Sequence, residues 1–149
     1  MRTQPVYDWM THDPITINSD APLLQARRLM RENAIRCLPV MNNGEFVGIV
    51  TLDEVCEALV SETISHNDRP MSMAAVSTIV TRVPFAISPL TTISLAAQIM
   101  LEHRISGLPV MVGDKLIGII TEGDILRMLL SKAATSVSDQ PLRRAKARV

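Results

Sequence analysis

The chain has 149 residues, 47% hydrophobic and 3% aromatic, and its fifteen Lys and Arg balance fifteen Asp and Glu. A chain of this length buries roughly 70% of the surface its unfolded form exposes, and an apolar fraction this high excludes a disordered protein. Zero formal charge and so few rings argue against a dedicated nucleic-acid binder, which needs a basic field and stacking platforms. Nine Met beside one Trp, one Tyr and two Phe predict a core of aliphatic and thioether side chains. No apolar run approaches the ~20 residues that span a bilayer. The first twenty residues carry Arg2, Asp8, His12 and Asp13, so no secretory signal is expected. Cys37 and Cys56 form no CxxC or zinc-like cluster. They read as reduced, semi-buried thiols of a cytoplasmic protein, with a disulfide between them as the alternative.

In chain order, Pro14 leads into a short extended piece, Ile15 to Ile17. Ser19 or Asp20 is positioned to cap a helix with Pro22 in its first turn, and Leu23, Ala26 and Met30 give that helix an apolar stripe. Leu38-Pro39-Val40-Met41 reads as a strand whose proline suits a start or an edge, not a central position. Asn42-Asn43-Gly44 is a turn signal, Phe46 to Val50 a buried strand, and Thr51 opens a final helix. His66-Asn67-Asp68-Arg69-Pro70 reads as a linker, and Met71 to Val76 as the start of a lead-in helix for the second half of the chain. The order then recurs: Phe85 to Ile87 extended, a helical stripe at Ile93, Ala96 and Met100, a strand Leu108 to Met111, a turn at Gly113-Asp114, a strand Leu116 to Ile120, and a helix from Thr121.

The recurrence is a gapless internal repeat. Positions 10–59 set against 80–129 give fifteen identical pairs in fifty, where roughly three are expected from average residue usage. The predicted fold is α/β (α+β), two β-α-β-β-α units over 7–62 and 77–132 joined by a linker at 63–76. A unit this small cannot easily close its own core, so the two are expected to pack together. Residues 133–149 lose periodicity and end on a basic run from Arg143 to Arg148. This tail reads as a disordered, solvated end, with contact to nucleic acid or an acidic partner as the alternative.

At this point the residues resemble a known family. Met10-Thr11, Pro14-Ile15-Thr16-Ile17, then Ile35-Arg36-Cys37-Leu38-Pro39-Val40-Met41 and Gly48-Ile49-Val50-Thr51 follow the pattern of the cystathionine β-synthase (CBS) domain. The second copy is closer still, with Ile105-Ser106-Gly107-Leu108-Pro109-Val110-Met111 and Gly118-Ile119-Ile120-Thr121-Glu122-Gly123-Asp124-Ile125-Leu126. The resemblance implies a free-standing CBS pair packed with pseudo-two-fold symmetry (a Bateman module), with two clefts between the copies. It implies no catalysis and no obligatory cofactor. The ligands it implies are adenosine-containing, AMP, ADP, ATP or S-adenosylmethionine, sometimes NAD or cyclic di-AMP. It further implies a homodimer that regulates a separate, unidentified protein, with a ligand-independent interaction module as the alternative. No catalytic signature such as a Walker loop, G-x-S-x-G or H-E-x-x-H is present.

The resemblance places the main cleft at Thr121, Gly123 and Asp124, where the aspartate takes the ribose hydroxyls. Met10, Ile15, Ile35 and Arg36 of the first copy would complete it, the apolar three against adenine and Arg36 toward a phosphate. The bland alternative for Thr121 and Asp124 is that they cap and charge a helix. A second, weaker cleft would take Thr51, Glu54, Val80, Phe85, His103, Arg104, Ile105 and Ser106. There Glu54 stands where the pattern has aspartate, and Asp53 adds acid beside it. His103-Arg104 sits where nucleotide-sensing relatives contact phosphates; an exposed helix end is the alternative. His12 and His66 read as surface residues.

Overall fold

A computed structural model describes residues 3–61, 70–81 and 85–137. His66 with the first half of the expected linker (63–69) and residues 138–149 of the expected tail lie outside the described residues. Strands are β1 (Thr11–His12), β2 (Ile17–Asn18), β3 (Cys37–Asn42), β4 (Glu45–Thr51), β5 (Gly107–Val112) and β6 (Lys115–Thr121). Helices are α1 (Leu23–Glu32), α2 (Leu52–Val60), α3 (Ile93–His103) and α4 (Glu122–Val137). The α4 helix therefore runs into the segment read as tail. Each copy has the expected order, although the first strand of the second shrinks to one parallel bridge, Ile87 to Val110.

In each copy an antiparallel hairpin carries the core. Asn43 and Gly44 close β3–β4 at φ 51 and 81, the left-handed conformations a tight hairpin requires. Side chains alternate across the sheet. Leu38, Val40 and Val50 face the helices, packing with Leu23, Ala26, Met30 and Val55. Cys37 and Ile49 face the other way and meet Ile119 of the second copy, with Phe46 beside them. The second copy repeats the helix-facing layer with Leu108, Val110 and Ile120 against Ile93, Ala96 and Met100.

Three expectations change. Pro39 and Pro109 sit in strands flanked on both sides, in orders β2-β3-β4 and, through the Ile87 bridge, Ile87-β5-β6-β1. Ile87 donates to the Pro109 carbonyl at 3.1 Å, and Met111 donates to Ile87 at 2.9 Å. The missing proline N–H thus faces the one-residue neighbour rather than the long hairpin partner. Next, α1 has no side-chain cap; it begins after Pro22, and Leu23 N–H donates to the carbonyl of Ala74 at 2.8 Å. Finally, 71–76 forms no lead-in helix. It contains a single 3₁₀ turn at Met71–Met73, with another at Val76–Thr78.

That lead-in packs on the first copy, while the N-terminal residues pack on the second. Val76 is buried among Leu23, Leu38 and Val50, and Val6 and Met10 among Ile93, Leu108 and Ile120. Hydrogen bonds obey the same exchange. Val76 N–H donates to Ala21 and Val6 N–H to Thr91; Ile93 N–H reaches Gln4 as Leu23 reaches Ala74. Thr11 pairs with Ile119 in β6, and Thr81 with Ile49 in β4. Each copy's edge is thus completed by the segment that opens the other copy.

Candidate functional site

The exchange brings loops of both copies to one cleft of about 580 Å³, a size suited to a small-molecule ligand. Its first-copy wall holds Pro14, Ile15, Ile35 and Arg36; its second-copy wall holds Thr121 to Asp124, Leu126 and Arg127. Cys37, Thr51, Asp53, Ser106 and Ile119 line it between them. Six of the seven residues expected in the main cleft are therefore brought together. Met10 is not: only 6% exposed, it packs in the second copy's core because its segment crosses over.

The start of α4 dominates the chemistry. Asp124 is 3% exposed, so its carboxylate needs partners. Thr121 donates its N–H and its hydroxyl to Asp124 Oδ2 at 2.9 and 3.0 Å. Asp124 N–H points back to Thr121 Oγ1 at 3.4 Å, and Arg127 donates to Oδ1. A carboxylate offers about four acceptor sites. Two donors hold one oxygen rigidly, and the other keeps one site free beside Arg127. The helix N-terminus adds a positive dipole end, with its Glu122 N–H donated to the Ser106 carbonyl at 3.0 Å.

The equivalent turn of the first copy is a capping box. Thr51 N–H meets Glu54 Oε2 at 3.4 Å, and Glu54 N–H meets Thr51 Oγ1 at 3.2 Å. The longer Glu54 carboxylate is folded back onto the backbone. Beside it Asp53 pairs with Arg36 at 3.4 Å, both well exposed. In water such a pair is worth about 0–1 kcal/mol, so either partner is free to leave it.

Of the residues expected in the second cleft, Thr51 and Ser106 line the Asp124 cleft instead. Val80 packs on the first copy's core, and Phe85 and Ile105 on the second's. His103 and Arg104 are exposed at the end of α3; the His103 ring lies 4.2 Å from that of Phe85, and Arg104 ends the helix at φ 54. Residues 82–84 lie outside the described residues, so this side is described only in part. His12 is exposed and hydrogen-bonded to the Tyr7 carbonyl.

Arg127 is the residue that sequence reasoning missed. Its signal was available: it stands three positions after Asp124, on the same helix face, where the first copy has Glu57. Cys37 was read as a thiol but not as a cleft residue. Both cysteines are free, and burial, followed by the Glu54 charge, pushes the Cys37 thiol up to about 12. A thiol held protonated is no nucleophile. Among the described residues no group of three or more His, Cys, Asp or Glu is placed to hold a metal, and no helix is long and apolar enough to cross a membrane.

This arrangement, two interlocked hairpin units sharing a cleft headed by a Thr-x-x-Asp helix start, has counterparts. The family model described as the CBS domain matches residues 6–61 and 76–131. The chain belongs to the CBS domain family. This CBS pair is 33% identical over 118 residues to inosine-5′-monophosphate dehydrogenase of Korarchaeum cryptofilum, covering 78% of the chain but only 22% of that enzyme. It superposes on the CBS domain pair of protein MJ0100, solved with 5′-methylthioadenosine and S-adenosyl-L-methionine, with TM-score 0.76 and 26% identity, over 88% of this chain and 99% of that one. CBSX2, solved with AMP, gives TM-score 0.71 and 26% identity, over 87% and 98%.

Proposed function

We propose that this CBS pair is a cytoplasmic regulatory module that binds an adenosine-containing ligand, an adenine nucleotide or S-adenosylmethionine, in the Asp124 cleft and biases a separate protein. The observation that carries this reading is Asp124, a nearly buried carboxylate fixed by Thr121 and still offering an acceptor to the cleft. Ribose hydroxyls are donors that such a carboxylate accepts. Ile15 and Ile35 present apolar surface for the faces of adenine, and the α4 N-terminus with Arg36 faces the charged end of the ligand. The ligand-bound relatives support the same ligand class. The Glu54 side is the weaker half, because its carboxylate is spent on the capping box. Isothermal titration with AMP, ATP and S-adenosylmethionine tests the reading. At least one binds the parent, and Asp124→Asn weakens it by about tenfold or more, the loss of a charge-assisted hydrogen-bond pair. A parent that binds none of them, or an Asp124→Asn protein that binds as tightly, refutes it.

A second reading, a ligand-independent dimerisation and interaction module, is favoured by one observation. Leu126, Leu129 and Leu130 lie at i, i+3 and i+4 on α4, exposed at 60, 51 and 69%. We assign this stripe to a homodimer contact, compatible with either reading. Leu130→Glu is expected to convert a sedimenting dimer to monomer while leaving ligand affinity unchanged; an unaltered sedimentation coefficient counts against the contact.

A further inference from the structure

The cleft contains more charge than ribose recognition requires. Two guanidiniums, Arg36 and Arg127, stand among three carboxylates, Asp53, Glu122 and Asp124. Each arginine is held by an acid: Arg36 by Asp53, and Arg127 by Asp124. The two pairs differ in kind. Asp53 and Arg36 are both exposed, at 86 and 77% of their side chains. Asp124 is buried while Arg127 is 67% exposed, so the carboxylate is fixed and the guanidinium is the movable half. Thr121 keeps Asp124 in place without Arg127, through two donors on Oδ2.

We propose, on the basis of the nucleotide reading above, that Arg127 and Asp53 set the ligand class of this cleft as a nucleoside 5′-monophosphate. Ribose hydroxyls take the Oδ1 position that Arg127 occupies, and the displaced guanidinium turns to the phosphate as a forked donor. The exchange leaves neither group without hydrogen-bond partners: Asp124 trades an ion pair for two hydroxyl donors, and Arg127 trades a carboxylate for a phosphate. A phosphate monoester carries about −1.5 to −2 at neutral pH, which one freed guanidinium and the α4 N-terminus answer. An uncharged nucleoside breaks the Asp124–Arg127 pair and gives Arg127 nothing in return. A triphosphate extends more negative charge toward Asp53, which also keeps Arg36 engaged. In the first copy the corresponding residues are Glu54 and Glu57, so no equivalent exchange exists there.

Isothermal titration of the full chain with adenosine, AMP, ATP and S-adenosylmethionine decides it. The parent is expected to bind AMP about tenfold or more tightly than adenosine, ATP or S-adenosylmethionine. Arg127→Gln brings AMP down to the adenosine level and leaves adenosine unchanged or tighter. Arg127→Lys, which keeps the charge without the fork, falls between. Asp53→Asn narrows the gap between ATP and AMP. Thermal melts of each variant establish that it is folded, and these exposed positions make that the expected result. Equal weakening of AMP and adenosine in Arg127→Gln reduces Arg127 to a support for Asp124 and overturns its role. An unchanged ATP gap in Asp53→Asn overturns the role of Asp53. A parent that prefers ATP or S-adenosylmethionine overturns the monophosphate assignment while the nucleotide reading stands. A parent that binds none of the four overturns both.

Discussion

Cys37 and Gly107 occupy equivalent positions in the two copies, and they face each other where the sheets meet. A Cβ built on Gly107 would lie 3.0 Å from Cys37 Sγ, so one copy's missing side chain accommodates the other's thiol. The packing that seats Cys37 also desolvates it, and with the nearby Glu54 charge it raises the thiol from 9.0 to about 12. Between pH 9 and about 12 the unfolded thiol has lost its proton and the folded one has kept it, so the folded state binds more protons and stability falls as pH rises. The contribution is complete below pH 9 and gone above about 12, at up to about 1.4 kcal/mol per pH unit. Urea midpoints of the parent are expected to drop across this window more steeply than those of Cys37→Ala; parallel curves would exclude a perturbed thiol. The pair was legible only as a difference between aligned repeats. That the two residues touch depends on how the sheets meet.

Among the elements, the lead-in segments explain two glycines that the repeat retains. Gly48 and Gly118 are equivalent strand positions, and each lies under an exchanged lead-in. A Cβ on Gly48 would strike the Thr81 carbonyl, and one on Gly118 would come within 2.6 Å of Met10 Sδ and 2.9 Å of the Thr11 carbonyl. The Met10 side chain can yield; the Thr11 backbone, paired to β6, cannot without losing that pairing. Gly118→Ala is therefore expected to cost about 1–3 kcal/mol in chemical denaturation, the usual range for overpacking. Less than about 0.5 kcal/mol would show that the lead-in is not tightly apposed. The strands, helices and hairpin turns were readable from alternation, helical spacing and Asn-Gly chemistry, all of which act within a few residues. The missing side-chain cap of α1 was not, because its first N–H is satisfied by Ala74, some fifty positions away.

At the scale of the whole molecule, exchanged lead-ins make the two copies one folding unit. Trp9, the sole tryptophan, stands in the opening segment of the first copy yet packs against the core of the second. Its fluorescence therefore reports on the second copy, while far-UV circular dichroism reports on both. The two probes are expected to give coincident urea transitions. Val55→Ala, a change in the first copy's buried layer, is expected to lower both midpoints together, at a cost of about 1–3 kcal/mol. A Trp9 midpoint that stays at the parent value would mean that the copies unfold independently. By itself the sequence determined that there are two units, what elements each contains, and that Thr121 to Asp124 stands at the start of a helix, because periodicity, turn residues and capping patterns are local. Tertiary structure alone decided that Met10 belongs to the second core, that a proline strand can lie inside a sheet, that Thr51 and Ser106 share a cleft with Asp124, and that Arg127 rests on its carboxylate. Two similar copies offer each lead-in nearly the same partner edge, so pairing within a copy and pairing across copies look alike along the chain. Only packing the two units together distinguishes them.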